Sequence, residues 1–189
     1  MQGGAPISNL LKTHTFLAVD GVHRISLYRV IRNKGNDMTT FYTAGKTWHA
    51  PAFQTLRDDL GFDVKARWID LKQDSDIVVN RKGDLWSLCF EDVRDSDFVL
   101  VYCEEMAEEQ RGALVEIGMA YGLDKPVYCI NKCQSLSANG ISDVAFTYFK
   151  NWTWLESDNL VEGAVEAIVA FDSMQEQTKE PIWPMYAVS

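Results

Sequence analysis

Asp97-Phe98-Val99-Leu100-Val101-Tyr102-Cys103, followed by Gln110-Arg111-Gly112-Ala113-Leu114-Val115-Glu116-Ile117-Gly118-Met119-Ala120-Tyr121-Gly122, decides the fold. The first stretch is an almost unbroken apolar run, the pattern of a strand covered on both faces and central in a parallel sheet. In the second, apolar side chains at 113, 114, 117, 120 and 121 fit a helical stripe. Glu116 is the one charge within that stripe's neighbourhood and reads as lying off it, beside Gly112 and Ala120. Side chains that small leave the carboxylate uncovered, so Glu116 is a candidate nucleophile or general base; the plainer reading is a Glu facing solvent. Pro126–Ile130 then returns to strand character, completing a β-α-β unit.

The same alternation extends outward from this unit. Thr39–Ala44 reads as a short strand, and Ala50–Leu60 as an amphipathic helix stopped by Gly61. Val64–Ile69 reads as a second strand and 71–83 as a polar loop. Asp84–Arg94 follows as a helix with Asp84 at its N-cap. A fifth strand is expected in Val144–Phe149 and a last helix over Asn159–Phe171. The result is an α/β chain with a doubly wound five-stranded parallel sheet, flavodoxin- or Rossmann-like. Ahead of it, two strand-like runs around Asp20-Gly21 predict an N-terminal β-hairpin extension and linker over 1–37. The α/β domain is expected over 38–175 and an aromatic, non-helical tail, with Trp183 between Pro181 and Pro184 and Tyr186 just after, over 176–189.

A chain of 189 residues with 47% hydrophobic content is long enough for one good core. The formal net charge of −9 disfavours a polynucleotide or an anionic membrane as partner but leaves room for a single nucleotide at a local positive site. No signal peptide or long apolar span is visible, so a reducing, cytoplasmic setting is expected. Cys89, Cys103, Cys129 and Cys133 lack the paired spacing of a zinc site, and His14, His23 and His49 are scattered; neither a metal nor another cofactor is expected.

In a doubly wound sheet, ligands sit beyond the carboxyl ends of the strands at the switch point. Segments 44–49, 70–74, 103–111 and 131–133 belong to that edge, and Glu116, about one turn into its helix, can point at the same crevice. Gly45-Lys46-Thr47 is not a phosphate-binding P-loop, because the Gly required five residues earlier is Thr40. Gly45, Lys46 and His49 between a strand and a helix still offer an anion or sugar-hydroxyl site; an ordinary turn reads equally well. Glu109, in the acidic run 104–109, is a candidate sugar contact or simply part of a solvated loop. Asp84, Asp92 and Asp97 are further carboxylates within reach of such chemistry, Asp97 equally a cap of the turn before its strand.

The succession Phe41-Tyr42-Thr43-Ala44-Gly45, Asp84-Leu85-Trp86, Asp97-Phe98-Val99-Leu100-Val101-Tyr102, Gly112 to Ala120 and Lys125-Pro126-Val127-Tyr128 resembles the nucleoside 2-deoxyribosyltransferase-like superfamily. That superfamily includes base-exchanging transferases and N-glycosidases of nucleoside 5′-monophosphates. The resemblance spans about 38–172 and implies that Glu116 is the nucleophile. It places Tyr42, Ala44, Gly45 and Gly112 around the sugar, with Lys46 and His49 nearby. Trp48, Trp68 or Tyr42 would stack on the base. The chain departs from the pattern at Cys89, where the resemblance implies an Asp eight residues before Asp97. Asp92 and Asp84, on the same helix, then become the candidates for the proton donor. Implied with these are a small nucleoside or nucleotide as ligand and a homodimer or higher homo-oligomer. The rival readings are a non-catalytic nucleotide or nucleotide-sugar binding module on the same fold, and an interaction protein with a vestigial crevice.

Overall fold

A computed structural model describes residues 38–103, 111–131, 149–155, 157 and 159–179. The expected N-terminal hairpin, Glu109 and the aromatic tail lie outside the described residues. Phe98–Cys103 forms the strand β3, and Phe98, Val99, Leu100 and Val101 are fully buried. It is central, as its hydrophobicity requires. With β1 (Thr40–Ala44), β2 (Asp63–Val64), β4 (Val127–Asn131) and β5 (Trp152–Leu155) it makes an all-parallel sheet of order β2-β1-β3-β4-β5. Register is set by pairs such as Tyr42 with Val99 and Val101 with Cys129. The order reverses between β1 and β3, which makes their carboxyl ends the switch point.

Among the described residues, five α-helices accompany the strands: α1 (Ala50–Gln54), α2 (Asp76–Val79), α3 (Lys82–Arg94), α4 (Arg111–Gly122) and α5 (Leu160–Lys179). Successive strand residues face opposite sides, so neighbouring side chains on β1 meet different helices. Phe41 stacks on Phe98 at 5.3 Å, and Phe98 in turn meets Phe171 of α5. Tyr102, on the same face as Phe98, packs edge-on against Phe53 of α1. Tyr42 points the other way, to α3 and α4. Helices therefore cover both faces, the doubly wound arrangement.

Several boundaries differ from the sequence reading, each for a local reason. The helix expected over 50–60 is α-helical only to Gln54; Thr55–Asp59 is a π-helical turn, and it ends at Gly61 with φ of 73°, where a Cβ would be strained. The strand expected over 64–69 stops after Val64, and Arg67–Asp70 is a 3-10 turn instead. Here the Arg67 N–H goes to Asp92 Oδ2 at 2.8 Å and the Trp68 indole N–H to the Thr43 carbonyl at 2.9 Å, so the chain turns inward and leaves the ladder. The polar loop contains α2, and α3 begins at Lys82, with Arg81 at its N-cap. Asp84 is thus not the cap; it pairs with Arg81 Nε at 2.6 Å.

The strand paired with β4 at the edge of the sheet is Trp152–Leu155; of the strand expected over Val144–Phe149, residues 144–148 lie outside the described residues. The last helix starts where expected, with Asn159 Oδ1 accepting from the Glu162 N–H at 2.9 Å. It runs on to Lys179, through the boundary drawn at 175, as an exposed polar extension past Asp172. Among the described residues, no helix is long and apolar enough to cross a membrane.

Candidate functional site

Glu116 is buried. The covered face of α4 comprises Ala113, Glu116, Ile117 and Ala120, spaced i, i+3, i+4, i+7, so the carboxyl lies on the inward stripe rather than beside it. Its residual exposure is 6%, which overturns the solvent-facing reading. The small side chains around it let α4 approach β1. Tyr42, fully buried, donates its hydroxyl to Glu116 Oε1 at 2.5 Å. The pair joins β1 to the helix that follows β3, and so bridges the two strands flanking the switch point.

Cys89 of α3 completes the cluster. It is a free, buried cysteine whose thiol lies in hydrogen-bonding reach of the Tyr42 hydroxyl and within electrostatic range of Glu116. Burial dominates the acid–base properties of all three groups. It pushes Glu116 up to about 8, against the opposing pull of the Tyr42 hydrogen bond. Burial also raises the Tyr42 hydroxyl well above its usual value, with the Glu116 charge adding to the effect. The Cys89 thiol rises to about 11, again chiefly through burial. At neutral pH the cluster is held mainly as neutral, hydrogen-bonded groups.

Asp92 and Asp84 are placed elsewhere. Asp92 is buried, with Oδ1 on Arg67 Nε at 2.6 Å and Oδ2 on the Arg67 backbone, so the carboxylate ties α3 to the 3-10 turn. Its burial raises its pKa while Arg67 pulls it down. Asp84 sits in an exposed ion pair with Arg81 on the first turn of α3. Asp97 accepts from the Thr40 N–H at 2.7 Å and from its hydroxyl at 3.0 Å, clamping the amino ends of β1 and β3, opposite the crevice.

The residues after β1 gather at the switch point. A Cβ on Gly45 would stand 3.1 Å from the Tyr102 carbonyl oxygen and 3.3 Å from the Phe53 ring, so the ends of β1 and β3 meet at glycine distance. Lys46 Nζ lies 5.3 Å over the ring of Trp48, whose 62% exposure puts both on the rim. His49 is buried and turned edge-on to Tyr102 at 4.9 Å, on the face away from Glu116. Trp68 is a strut, pinned to Thr43 and packed on Phe53 at 5.8 Å, not an open stacking platform. Gly112 faces the Trp86 ring of α3. Tyr42, Cys89 and Glu116 are thus brought together; Lys46 and Trp48 stand at the rim, and His49 and Trp68 belong to the opposite wall.

Sequence reasoning did not single out Thr43. Its hydroxyl, one residue before Ala44, is buried without a hydrogen-bond partner among the described residues. The alternating apolar pattern of β1 carried no signal for it. Among the described residues no group of three His, Cys, Asp or Glu is placed to hold a metal ion.

Fold and site together define an all-parallel α/β protein with a buried tyrosine–carboxyl pair at its switch point. The chain matches no family model, no curated protein and no solved structure.

Proposed function

We propose that this protein cleaves or exchanges the N-glycosidic bond of a nucleoside or nucleoside 5′-monophosphate, through a covalent glycosyl-enzyme on Glu116. The reading combines the resemblance to the nucleoside 2-deoxyribosyltransferase-like superfamily with one observation. The Glu116 carboxyl is buried and oriented by the Tyr42 hydroxyl, away from bulk water and, among the described residues, not locked in a salt bridge. A carboxylate so held suits a reaction in which positive charge develops at a sugar ring carbon. Glu116, once ionised, stabilises the oxocarbenium-like transition state and bonds to the anomeric carbon as the C–N bond breaks, the base leaving with the bonding electron pair and taking up a proton. Tyr42 holds the other oxygen in place. Water or a second base attacks the ester, releasing the sugar or making a new nucleoside. Gly45, Lys46 and Trp48 line the entrance, where Lys46 meets a phosphate. The enzyme acts in the cytoplasm as a homodimer or higher oligomer.

Incubation with a panel of nucleosides and nucleoside monophosphates, with free base followed by mass spectrometry, tests this reading. Turnover is expected for the native chain and its loss in Glu116→Ala; turnover that survives the substitution removes the mechanism. The rival is a non-catalytic nucleotide-binding module. Cys89 favours it, because that position beside Tyr42 carries a weak acid in place of a carboxyl. Ligand binding without any release of base decides for the module.

A further inference from the structure

We propose, resting on the glycosidase reading, that Trp86 holds the leaving base, its indole face stacked on the base beside Gly112 while the sugar lies over Glu116. The direction of the helices brings this about. α4 follows β3 and α3 leads into it, so both begin at the carboxyl ends of the strands, where the crevice lies. Trp86 precedes Cys89 by three residues and Gly112 precedes Glu116 by four, the spacings that put helical neighbours on one face, one turn apart. On β1, Ala44 stands two residues after Tyr42, on the same face of the sheet. Trp86, Gly112 and Ala44 thus form the level next to Cys89, Glu116 and Tyr42 on the crevice side. Two of them touch: Cη2 of the Trp86 ring lies 3.8 Å from where a Cβ on Gly112 would stand. Trp86 is half-buried and Gly112 is exposed, so the ring reaches across the open end of the seam between α3 and α4.

Displacement geometry puts the base at that level. Nucleophile and leaving group lie in line, on opposite sides of the anomeric carbon. A long helical side chain leans towards the N-terminal end of its helix, which carries the Glu116 carboxyl towards the turn of Gly112. An attack distance of about 3 Å and a C–N bond of about 1.5 Å start the base less than one helical turn, about 5.4 Å, beyond the carboxylate. That is where the Trp86 ring meets Gly112. The indole offers the base a flat apolar face, and the missing side chain at 112 leaves the base room beside it. The other aromatics near the crevice are engaged: Tyr42 with Glu116, Trp68 with Thr43, and the Trp48 face with Lys46. Stacking holds the base alike before and during bond cleavage, so its contribution falls on KM and not on kcat.

The test compares the full chain with Trp86→Leu and Trp86→Met, which lack a ring, and with Trp86→Phe, which keeps one. Adenosine, inosine, cytidine and uridine, their 2′-deoxy counterparts and all the 5′-monophosphates are the substrates. Release of free base is followed by chromatography, and thermal melts select the variants that fold; two ringless variants guard against the loss of one. For the compounds that the native chain cleaves, removal of the ring is expected to raise KM by about 10-fold or more, the scale of one base stack, with kcat within about threefold. Trp86→Phe is expected to keep KM within about threefold of native. An unchanged KM in the ringless variants, or a loss confined to kcat, overturns the platform and leaves the glycosidase reading intact. Where the native chain cleaves none of the compounds, that reading falls and calorimetric binding of the same compounds judges the platform. Affinity about 10-fold weaker without the ring and recovered in Trp86→Phe upholds it; equal affinity, or no binding at all, overturns it as well.

Discussion

The Tyr42 hydroxyl and the Glu116 carboxyl, 74 residues apart in the chain, share a 2.5 Å hydrogen bond inside the protein. The bond fixes which oxygen of Glu116 is engaged and moderates the rise in its pKa that burial causes. Chemistry and stability are therefore coupled through the same contact.

Glu116 makes the fold sensitive to pH. An unfolded Glu titrates near its ordinary 4.5, whereas the buried one titrates at about 8. Between these values the native state holds a proton that the unfolded chain has released, so stability falls as pH rises through this window and levels off above it. At about 1.4 kcal/mol per pKa unit the loss is on the order of 5 kcal/mol. Urea melts across pH 5 to 9 are expected to show this slope for the native chain and a much flatter profile for Glu116→Gln. Equal slopes would show that the carboxyl is not held in its protonated form.

A nucleophile that must ionise gives a rate that climbs with pH. The kcat/KM of the free enzyme is expected to rise towards an apparent pKa of about 8. In Tyr42→Phe the hydrogen bond that lowers the Glu116 pKa is gone, so the limb moves to higher pH and the rate at neutral pH drops by roughly tenfold or more. A pH–rate profile of the variant separates this from simple misfolding, because activity returns at alkaline pH.

Arg67 and Asp92 are expected to matter for folding and not for bond cleavage. Arg67→Met leaves the buried Asp92 carboxylate without its ion pair, at a cost on the order of 2 kcal/mol, moderated because the Arg67 side chain is half exposed. Thermal melts should shift downward while kcat stays within about threefold, since a group acting through packing moves stability first. A collapse of kcat with unchanged stability would place Asp92 in the reaction.

Gly163 of α5 lies so close to β4 that a Cβ there would stand 2.3 Å from the Ile130 Cδ1. Gly163→Ala is expected to destabilise by about 1–3 kcal/mol through overpacking. Ile130→Val alone costs about 1 kcal/mol. Combined, the two should cost less than their sum, and denaturant midpoints of the four proteins in this cycle measure the coupling.

Much of the architecture was readable because its signals are local. The run Phe98–Tyr102 announces a central strand from its own composition, and Gly61 and Asn159 mark a helix stop and a helix start through backbone preferences that need no partner. The reading failed where distant groups intervened. Val64–Ile69 has the composition of a strand, but Trp68 and Arg67 find better partners in Thr43 and Asp92 and leave the sheet. Asp84 looks like a cap by its position, yet Arg81 takes its carboxylate. The pairing of Trp152–Leu155 with β4 was likewise not announced by the local pattern.

By itself the sequence determined an alternation of strands and helices, a parallel sheet and a conspicuous acid at position 116, since periodicity and composition act over a few residues at a time. The tertiary structure decided that this acid is buried, that Tyr42 and Cys89 are its neighbours, and that Asp92 answers to Arg67. Those facts come from side chains brought together across the sheet, where burial and pairing set the ionisation of each group, and no local pattern encodes that meeting.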